Sequence, residues 1–358
     1  MKETLPVEPI FYKYKLFYII GTASKPSKPP MRILLLGSTG LLGHNVLRIL
    51  IERGHSVVVL VRSSKVLADV EGNPAVTVVK GSLLDLEALR NAARGCDAIV
   101  NCAGTTDMSL LDFNDYLPVN KTLVEFILEV MNEHGIRTLV HTSSANTIGY
   151  GSRQRPGTEA DDIRAPFSRS LYAQSKLEAE KILAWDAQQH PDRHIVILNP
   201  GFMVGPYDHK PSSGRLLLAA RNRRLMACPS GGKSFVDVRD VAAAAANALT
   251  MGTSGERYLL TGEEMSLRDF YALQADTCGY SQRILVLPDW LVALAGRVGD
   301  LLRWMGIRTQ LSTRNVRQLM VMEYYSSSKA QRELAFAVSP IKNAIADFFS
   351  FIDADKTE

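Results

Sequence analysis

A phenol and an ammonium stand four residues apart in the segment Tyr172-Ala-Gln-Ser-Lys176. In a helix, side chains at positions i and i+4 lie one above the other, so both groups can reach one ligand. A phenol with a pKa of about 10 is a poor acid at neutral pH, but a neighbouring ammonium favours the phenolate and lowers that pKa. The pair predicts proton transfer at a substrate oxygen; a surface pair is the alternative interpretation.

Hydroxyl groups end an apolar segment upstream of this predicted helix, in His141-Thr142-Ser143-Ser144. Ligands bind at the carboxyl ends of strands in parallel α/β sheets. We predict that Ser144, with Ser143 as second choice, hydrogen-bonds the reacting oxygen and shares its developing charge with Tyr172. A serine that only caps the next turn is the alternative.

A glycine-rich turn follows the first apolar run and opens a helix-period stretch; it reads Gly37, Ser38, Thr39, Gly40, Leu41, Leu42 and Gly43. Gly37 allows a tight turn, Gly40 lets the backbone approach a pyrophosphate, and Gly43 permits close helix packing. The helix N-terminus supplies amide donors and a positive dipole to an anion. The turn predicts a dinucleotide site, and a glycine turn without a ligand is the minority alternative.

Arg62 ends the second predicted strand, where NAD-binding proteins carry an acidic residue that hydrogen-bonds the ribose. A guanidinium there, beside Ser63 and Ser64, can pair with a 2′-phosphate. We therefore expect NADP to be preferred, with NAD possible as cofactor; a solvated surface arginine is the alternative.

Small residues follow the third and fourth predicted strands. Ser82 and Leu83 lie where the adenine would bind, and Cys102, Ala103 and Gly104 allow the backbone to approach the cofactor closely. Asp85 is expected to belong to the helix that follows and not to the adenine site.

Alternating apolar runs and helix-period stretches must position these residues. Strands are predicted at 33–36, 57–61, 76–79, 98–101, 138–142 and 195–198, and helices at 46–52, 83–93, 119–133 and 171–188. Strands separated by helices predict an α/β fold with a Rossmann-type, doubly wound parallel sheet and a smaller C-terminal substrate-binding lobe. We expect an N-terminal extension at 1–30, an NAD(P)-binding domain at 31–200, and mainly the substrate lobe at 201–358, with some segments returning to the core.

The alternation weakens after Pro206, and the segments 234–238, 241–250 and 257–261 are placed in the second lobe. The apolar helix Trp290 to Met305 has two interpretations, packing on the core, which we prefer, or covering a substrate cleft. Candidate groups for binding a substrate diphosphate are Arg215, Arg221, Arg223 and Arg224.

Composition limits the class of protein. The 358 residues carry a net charge of +4 spread along the chain, which argues against a nucleic-acid surface. No apolar run is long enough to span a membrane. Four widely spaced cysteines are interpreted as free thiols, with neither a metal site nor CxxC pairs, and a cytoplasmic location is expected.

The order of these motifs resembles the extended short-chain dehydrogenase/reductase superfamily, in the NAD-dependent epimerase/dehydratase family and its dihydroflavonol-4-reductase-like branch. The resemblance covers roughly Met31 to the C-terminus and implies that Tyr172 exchanges the proton, Lys176 binds the nicotinamide ribose and Ser144 positions the substrate. It also implies that Pro200, Gly201 and Met203 lie beside the nicotinamide. Where the family has an acidic residue near the adenine, this chain has Ser82.

Three functions remain open at this point. The first is an NADP-dependent oxidoreductase that acts on the carbonyl or alcohol of a small molecule, as Arg62 favours. The second is an NAD-dependent nucleotide-sugar epimerase or dehydratase, and the third is a non-catalytic dinucleotide sensor, which would have no need for Ser144, Tyr172 and Lys176 together. A homodimer is expected from the resemblance.

Overall fold

Seven parallel strands form the central sheet in the computed structural model, which describes residues 29–63, 65–209 and 211–355. They are β1 (Arg32–Leu36), β2 (Ser56–Val61), β3 (Val76–Lys80), β4 (Ala98–Asn101), β5 (Thr138–Thr142), β6 (His194–Pro200) and β10 (Arg257–Leu260). The predicted α/β, Rossmann-type fold is confirmed. Residues 1–28 of the expected extension lie outside the described residues.

The order of the strands in the central sheet determines where a ligand-binding crevice lies. It runs β10-β6-β5-β4-β1-β2-β3, so the direction of winding reverses between β1 and β4. In open parallel sheets, ligands bind outside the carboxyl ends of the strands at this reversal. The glycine turn after β1 and the small residues after β4 therefore meet at one crevice.

Helices cover both faces because strand side chains alternate between them. Ile33 and Leu35 pack in one apolar cluster, whereas Leu34 and Leu36 pack in the other. The helices of the two layers are α1 (Leu41–Glu52), α2 (Leu86–Ala93), α3 (Leu123–His134), α4 (Leu171–Gln189) and α6 (Val238–Asn247).

Some segments after residue 200 belong to this layered core. The strand β10 pairs with β6 at the edge of the sheet, and α6 packs in the same apolar cluster as α1. Both segments are assigned to the second lobe from their patterns, but the structure puts them in the layered core, to which some segments after residue 200 are expected to return. Strand and helix patterns do not reveal which neighbour an element pairs with.

A smaller lobe is built around β9 (Gly232–Asp237), which pairs with β7 (Phe202–Val204), β11 (Glu263–Ser266) and β13 (Met322–Glu323). A separate pair joins β8 (Leu225–Cys228) to β12 (Arg283–Val286). Its core includes Phe235 stacked on Phe270 at 4.0 Å between ring centroids. Its helices are α5 (Gly214–Ala220), α7 (Leu267–Thr277), α8 (Asp289–Trp304), α9 (Thr313–Gln318) and α11 (Ile341–Asp355), whereas α10 (Ser328–Glu333) packs through Ala330 in the core of the central sheet.

Helix α8 does not bury its apolar face, so the preferred core-packing interpretation is wrong. Within α8 only Val292, Gly296 and Gly299 are buried, while Trp290 is 68% exposed and Trp304 is 84% exposed. Gly299 lets the helix approach the backbone of Leu311 closely, since a Cβ there would lie 2.2 Å from the Leu311 carbonyl oxygen. The side of α8 that faces the protein lines a cavity described below.

Candidate active site

The glycine turn is shaped by the backbone that follows β4. Gly37 has a φ of +82°, and a Cβ at this position would lie 2.6 Å from the amide nitrogen of Ala103. A Cβ on Gly43 would lie 2.1 Å from the Gly37 carbonyl oxygen. Helix α1 begins after Gly40 with no side-chain cap and no acidic residue in its first turn. Its amides are therefore free of a competing carboxylate and suited to a pyrophosphate.

Gly37→Ala is expected to lower the free energy of unfolding by several kcal/mol and to weaken dinucleotide binding, because backbone strain and a backbone clash act together. Gly54→Ala is the matched control, since Gly54 has a φ of +81° but a Cβ added there would meet nothing within 4 Å. Urea unfolding of both variants separates the two causes. Strain alone costs about 1–2 kcal/mol, so equal losses would contradict the packing role of Gly37.

Arg62 lies just past β2 and is exposed, beside the crevice at the strand ends. The next described carboxylate along the chain, Asp69, is bound by His44 at 3.1 Å and by Arg48 at 2.8 Å. That carboxylate is neutralised within the protein, which leaves Arg62 as the charged group at the strand end.

The remaining predicted cofactor residues lie on the loops that follow other strands. The hydroxyl of Ser82 accepts a hydrogen bond from the Leu84 amide, and Asp85 caps α2, as its position suggested. Pro200 ends β6 and Met203 lies in β7. A Cβ on Gly201 would lie 2.5 Å from the Ser234 carbonyl oxygen, so this glycine permits the turn between the two strands.

The Lys176 ammonium lies at the carboxyl end of β5. It donates to the Thr142 carbonyl oxygen at 2.9 Å, and a Cβ on Gly104 would come within 2.9 Å of it. Burial lowers the pKa of Lys176 to about 8, while the charge of Glu180 acts in the opposite direction. Lys176 thus lies between the loops that follow β4 and β5.

The Ser144 side chain is near enough to Tyr172 to affect the pKa of its phenol. Burial raises the pKa of Tyr172, and its hydrogen bond with the Ser144 side chain works against that rise. The expectation that the Lys176 ammonium lowers this pKa is therefore wrong, because desolvation dominates and Lys176 donates to the Thr142 carbonyl oxygen instead. The phenol is held protonated, as a donor to a substrate oxygen must be.

The two serines that follow β5 have different hydrogen-bond partners. Ser143 donates its hydroxyl hydrogen to the buried carboxylate of Glu180. Ser144 caps the turn at Ala145–Thr147, accepting from the Asn146 amide at 3.3 Å, and also contacts Tyr172. Ser144 therefore caps the turn and interacts with the phenol at the same time.

Glu180 is a site residue that the sequence patterns missed. It lies one further turn along the face of α4 that carries Tyr172 and Lys176, and it is 3% exposed. One of its oxygens accepts hydrogen bonds from Thr147 and Asn199, both at 2.7 Å, besides the one from Ser143. Continuing the i, i+4 series beyond Lys176 would have revealed it.

Asn120 ties the loop after β4 to α4. Its side chain exchanges hydrogen bonds with the backbone of Thr105 and donates to the Ser175 hydroxyl at 2.8 Å. It lies in a π-helical turn, Pro118–Thr122, a widened geometry that is frequent at functional sites.

A cavity of about 1020 Å³ lies beside the inner side of α8. Its lining includes apolar side chains, four arginines and two aspartates, namely Leu111, Tyr150, Ala165, Pro166, Met320, Val321, Arg169, Arg303, Arg314, Arg317, Asp289 and Asp300. A smaller pocket that Tyr172 itself lines shares Arg303 and Arg314 with this cavity. The arrangement provides a space in which a substrate can extend away from the phenol. Of the arginines considered for a diphosphate, Arg221 instead pairs with Asp353 at 2.5 Å.

Metal ligation and disulfide formation are the other chemistries that these side chain types could support. Over the part of the chain that the structure describes, no group of three or more His, Cys, Asp or Glu side chains could hold a metal ion. All four cysteines are free, as predicted. Among the helices of the described residues, none is both long and apolar enough to cross a bilayer.

Comparisons with known proteins agree with this geometry. The model of the NAD-dependent epimerase/dehydratase family matches residues 33–260. A putative dihydroflavonol 4-reductase of Synechocystis is 32% identical over 87% of this chain and 91% of its own length. Sterol demethylase protein B of Methylococcus capsulatus is 30% identical over 88% of this chain and 97% of its own length. The crystal structure of gox2253 superposes with a TM-score of 0.76 at 26% identity, covering 91% of this chain and 99% of that one.

The fold, the glycine turn and the tyrosine–lysine helix define a dinucleotide-dependent oxidoreductase. The chain belongs to the NAD-dependent epimerase/dehydratase family, within the extended short-chain dehydrogenases/reductases. It binds a nicotinamide dinucleotide and acts on a small-molecule substrate.

Proposed function

We propose that this protein is an NADPH-dependent carbonyl reductase, with Tyr172 as proton donor, Ser144 as a second hydrogen-bond donor and Lys176 as the group that binds the nicotinamide ribose. The observation that carries the proposal is the position of Lys176, four residues along α4 from Tyr172, where its ammonium donates to the Thr142 carbonyl oxygen at the end of β5, two residues before Ser144. The dinucleotide supplies a hydride to the carbonyl carbon.

The side chains then handle the charge that develops on the oxygen. Tyr172 and Ser144 both donate to that oxygen, and the phenol proton passes to it as the alcohol forms. The Lys176 ammonium stabilises the phenolate left behind, which relieves the desolvation cost that raises the pKa of Tyr172. Asn120 and Glu180 hold the loops and α4 in register around these groups.

The preference for NADPH is proposed from Arg62. Its guanidinium is exposed at the end of β2, and the nearby Asp69 is engaged by His44 and Arg48. A guanidinium fork pairs well with a phosphate, and a carboxylate at the strand end would repel it.

Arg62→Ala is expected to weaken NADPH binding by about 10- to 100-fold, because charge-assisted hydrogen bonds to the 2′-phosphate are lost. NADH binding is expected to stay the same. Titration followed by cofactor fluorescence measures both affinities, with Arg94→Ala, an exposed arginine after α2, as the control. Tighter binding of NADH than NADPH by the wild type would contradict the cofactor preference and favour the epimerase/dehydratase hypothesis.

A further inference from the structure

Two arginines stand between the Tyr172 phenol and the large cavity. Arg303 from α8 and Arg314 from α9 line both the small pocket that contains Tyr172 and the cavity of about 1020 Å³. A substrate whose carbonyl reaches Tyr172 and whose body fills the cavity must pass these two guanidinium groups.

Neither arginine forms an ion pair with a carboxylate of the described residues, although two nearby carboxylates raise the pKa of Arg303 against the larger effect of burial. Arg303 donates to the carbonyl oxygens of Met108 at 2.7 Å and Thr309 at 2.7 Å, and no side-chain oxygen of the described residues forms an ion pair with Arg303 or Arg314. Burial, and then the charge of Arg314, lower the pKa of Arg303. An anion bound between the two guanidinium groups would offset both the desolvation of Arg303 and the repulsion between the two positive charges.

The other charged side chains around the cavity do not cancel the positive charge of Arg303 and Arg314. Two further arginines, Arg169 and Arg317, line it and are exposed. Two carboxylates, Asp289 and Asp300, also line the cavity, and their hydrogen bonds to neutral donors leave their negative charges in place, so four arginines stand against two aspartates. The cavity as a whole is positively charged.

We propose that the substrate is an oxo acid, or the corresponding hydroxy acid, whose carboxylate binds Arg303 and Arg314 close to the reacting carbon and whose apolar body fills the cavity. A planar carboxylate matches the guanidinium fork. The walls formed by Leu111, Pro166 and Val321 suit an alkyl or ring body. The inference rests on the carbonyl reductase function proposed above.

The test uses the stable hydroxy acid in the direction of oxidation. With NADP⁺, 3-hydroxydecanoate and its methyl ester are compared as substrates of the wild type and of Arg314→Met. The acid is expected to exceed the ester in kcat/KM by about 10- to 100-fold in the wild type, the effect of charge-assisted hydrogen bonds. Arg314→Met is expected to reduce this ratio to near one.

The matched control is Arg297→Met. Arg297 lies on the exposed side of α8 and does not line the cavity, so the preference for the acid should remain. Equal rates with acid and ester in the wild type, or an unchanged ratio in Arg314→Met, would overturn the proposal. Oxidation of the ester alone would do the same while leaving the reductase function standing.

A binding measurement covers the case in which neither compound is oxidised. Calorimetry with decanoate, which cannot react, compares the NADP-loaded wild type with Arg314→Met. Binding that is at least tenfold weaker in the variant supports the carboxylate site, since charge-assisted bonds are worth that much. Equal binding, or none to the wild type, overturns the site independently of the reductase function, which a panel of neutral carbonyl compounds tests.

Discussion

Tyr172→Phe is expected to lower kcat for carbonyl reduction by about 10²- to 10⁴-fold, the usual contribution of a positioned general acid. The phenol is the donor that meets Ser144, and burial keeps it protonated. The phenyl ring of the variant retains the packing, so dinucleotide affinity should not change. Single-turnover reduction with prebound NADPH measures the chemical step, and fluorescence titration measures the affinity.

Tyr116→Phe is the control for this variant. The rings of Tyr116 and Tyr172 lie 6.5 Å apart between centroids, and both line the small pocket. The Tyr116 hydroxyl, however, donates to the Asp107 carbonyl oxygen at 2.6 Å, so its proton is already committed. A much smaller loss is expected. Equal losses in both variants would remove Tyr172 from its role as proton donor, and an unaffected Tyr172→Phe enzyme would favour the non-catalytic hypothesis.

The core of the fold could be predicted because its signals are local. The strands β4 and β5 lie at the residues that the apolar runs indicated, and the glycine turn follows β1 as expected. Buried parallel strands are apolar on both faces, which makes them visible as continuous runs. The order of the strands then brings the turn and the Tyr172 helix to one edge of the sheet.

Features that depend on distant contacts could not be predicted in this way. The edge position of β10 follows from pairing with β6, to which no local pattern refers. Helix α8 has an apolar pattern that usually indicates burial, yet its outer side is exposed and its inner side lines the cavity. The pKa of Tyr172 depends on the desolvation of the folded site, which outweighs the attraction expected from the spacing of Tyr172 and Lys176.

The buried charge of Glu180 affects the pH range over which Lys176 is protonated. The pKa of Lys176 is about 8. At a lower pH its side chain is an ammonium that attracts an anionic dinucleotide, and at a higher pH it is neutral. The negative charge of Glu180 raises the pKa of Lys176 against the effect of burial. Removing that charge lets the pKa of Lys176 fall further.

Glu180→Gln is therefore expected to shift the pH at which dinucleotide binding weakens from near 8 to about one pH unit lower. The amide oxygen of glutamine can still accept from Thr147 and Asn199, so the loops keep their positions. The measurement is the dissociation constant of NADPH between pH 6 and 9.5 for wild type and variant. Titration of the cofactor phosphate is common to both proteins and cancels in the comparison.

Glu178→Gln provides the matched control on the same helix. Glu178 is partly exposed and pairs with Lys181 at 2.8 Å, so solvent screens its charge and the pH dependence of NADPH binding should match the wild type. If Glu180→Gln weakens binding equally at every pH, Glu180 acts only by holding the Ser143 and Thr147 loop in place. A shift confined to the alkaline limb, absent in Glu178→Gln, assigns to Glu180 the electrostatic control of Lys176, because a purely structural role would not move a titration.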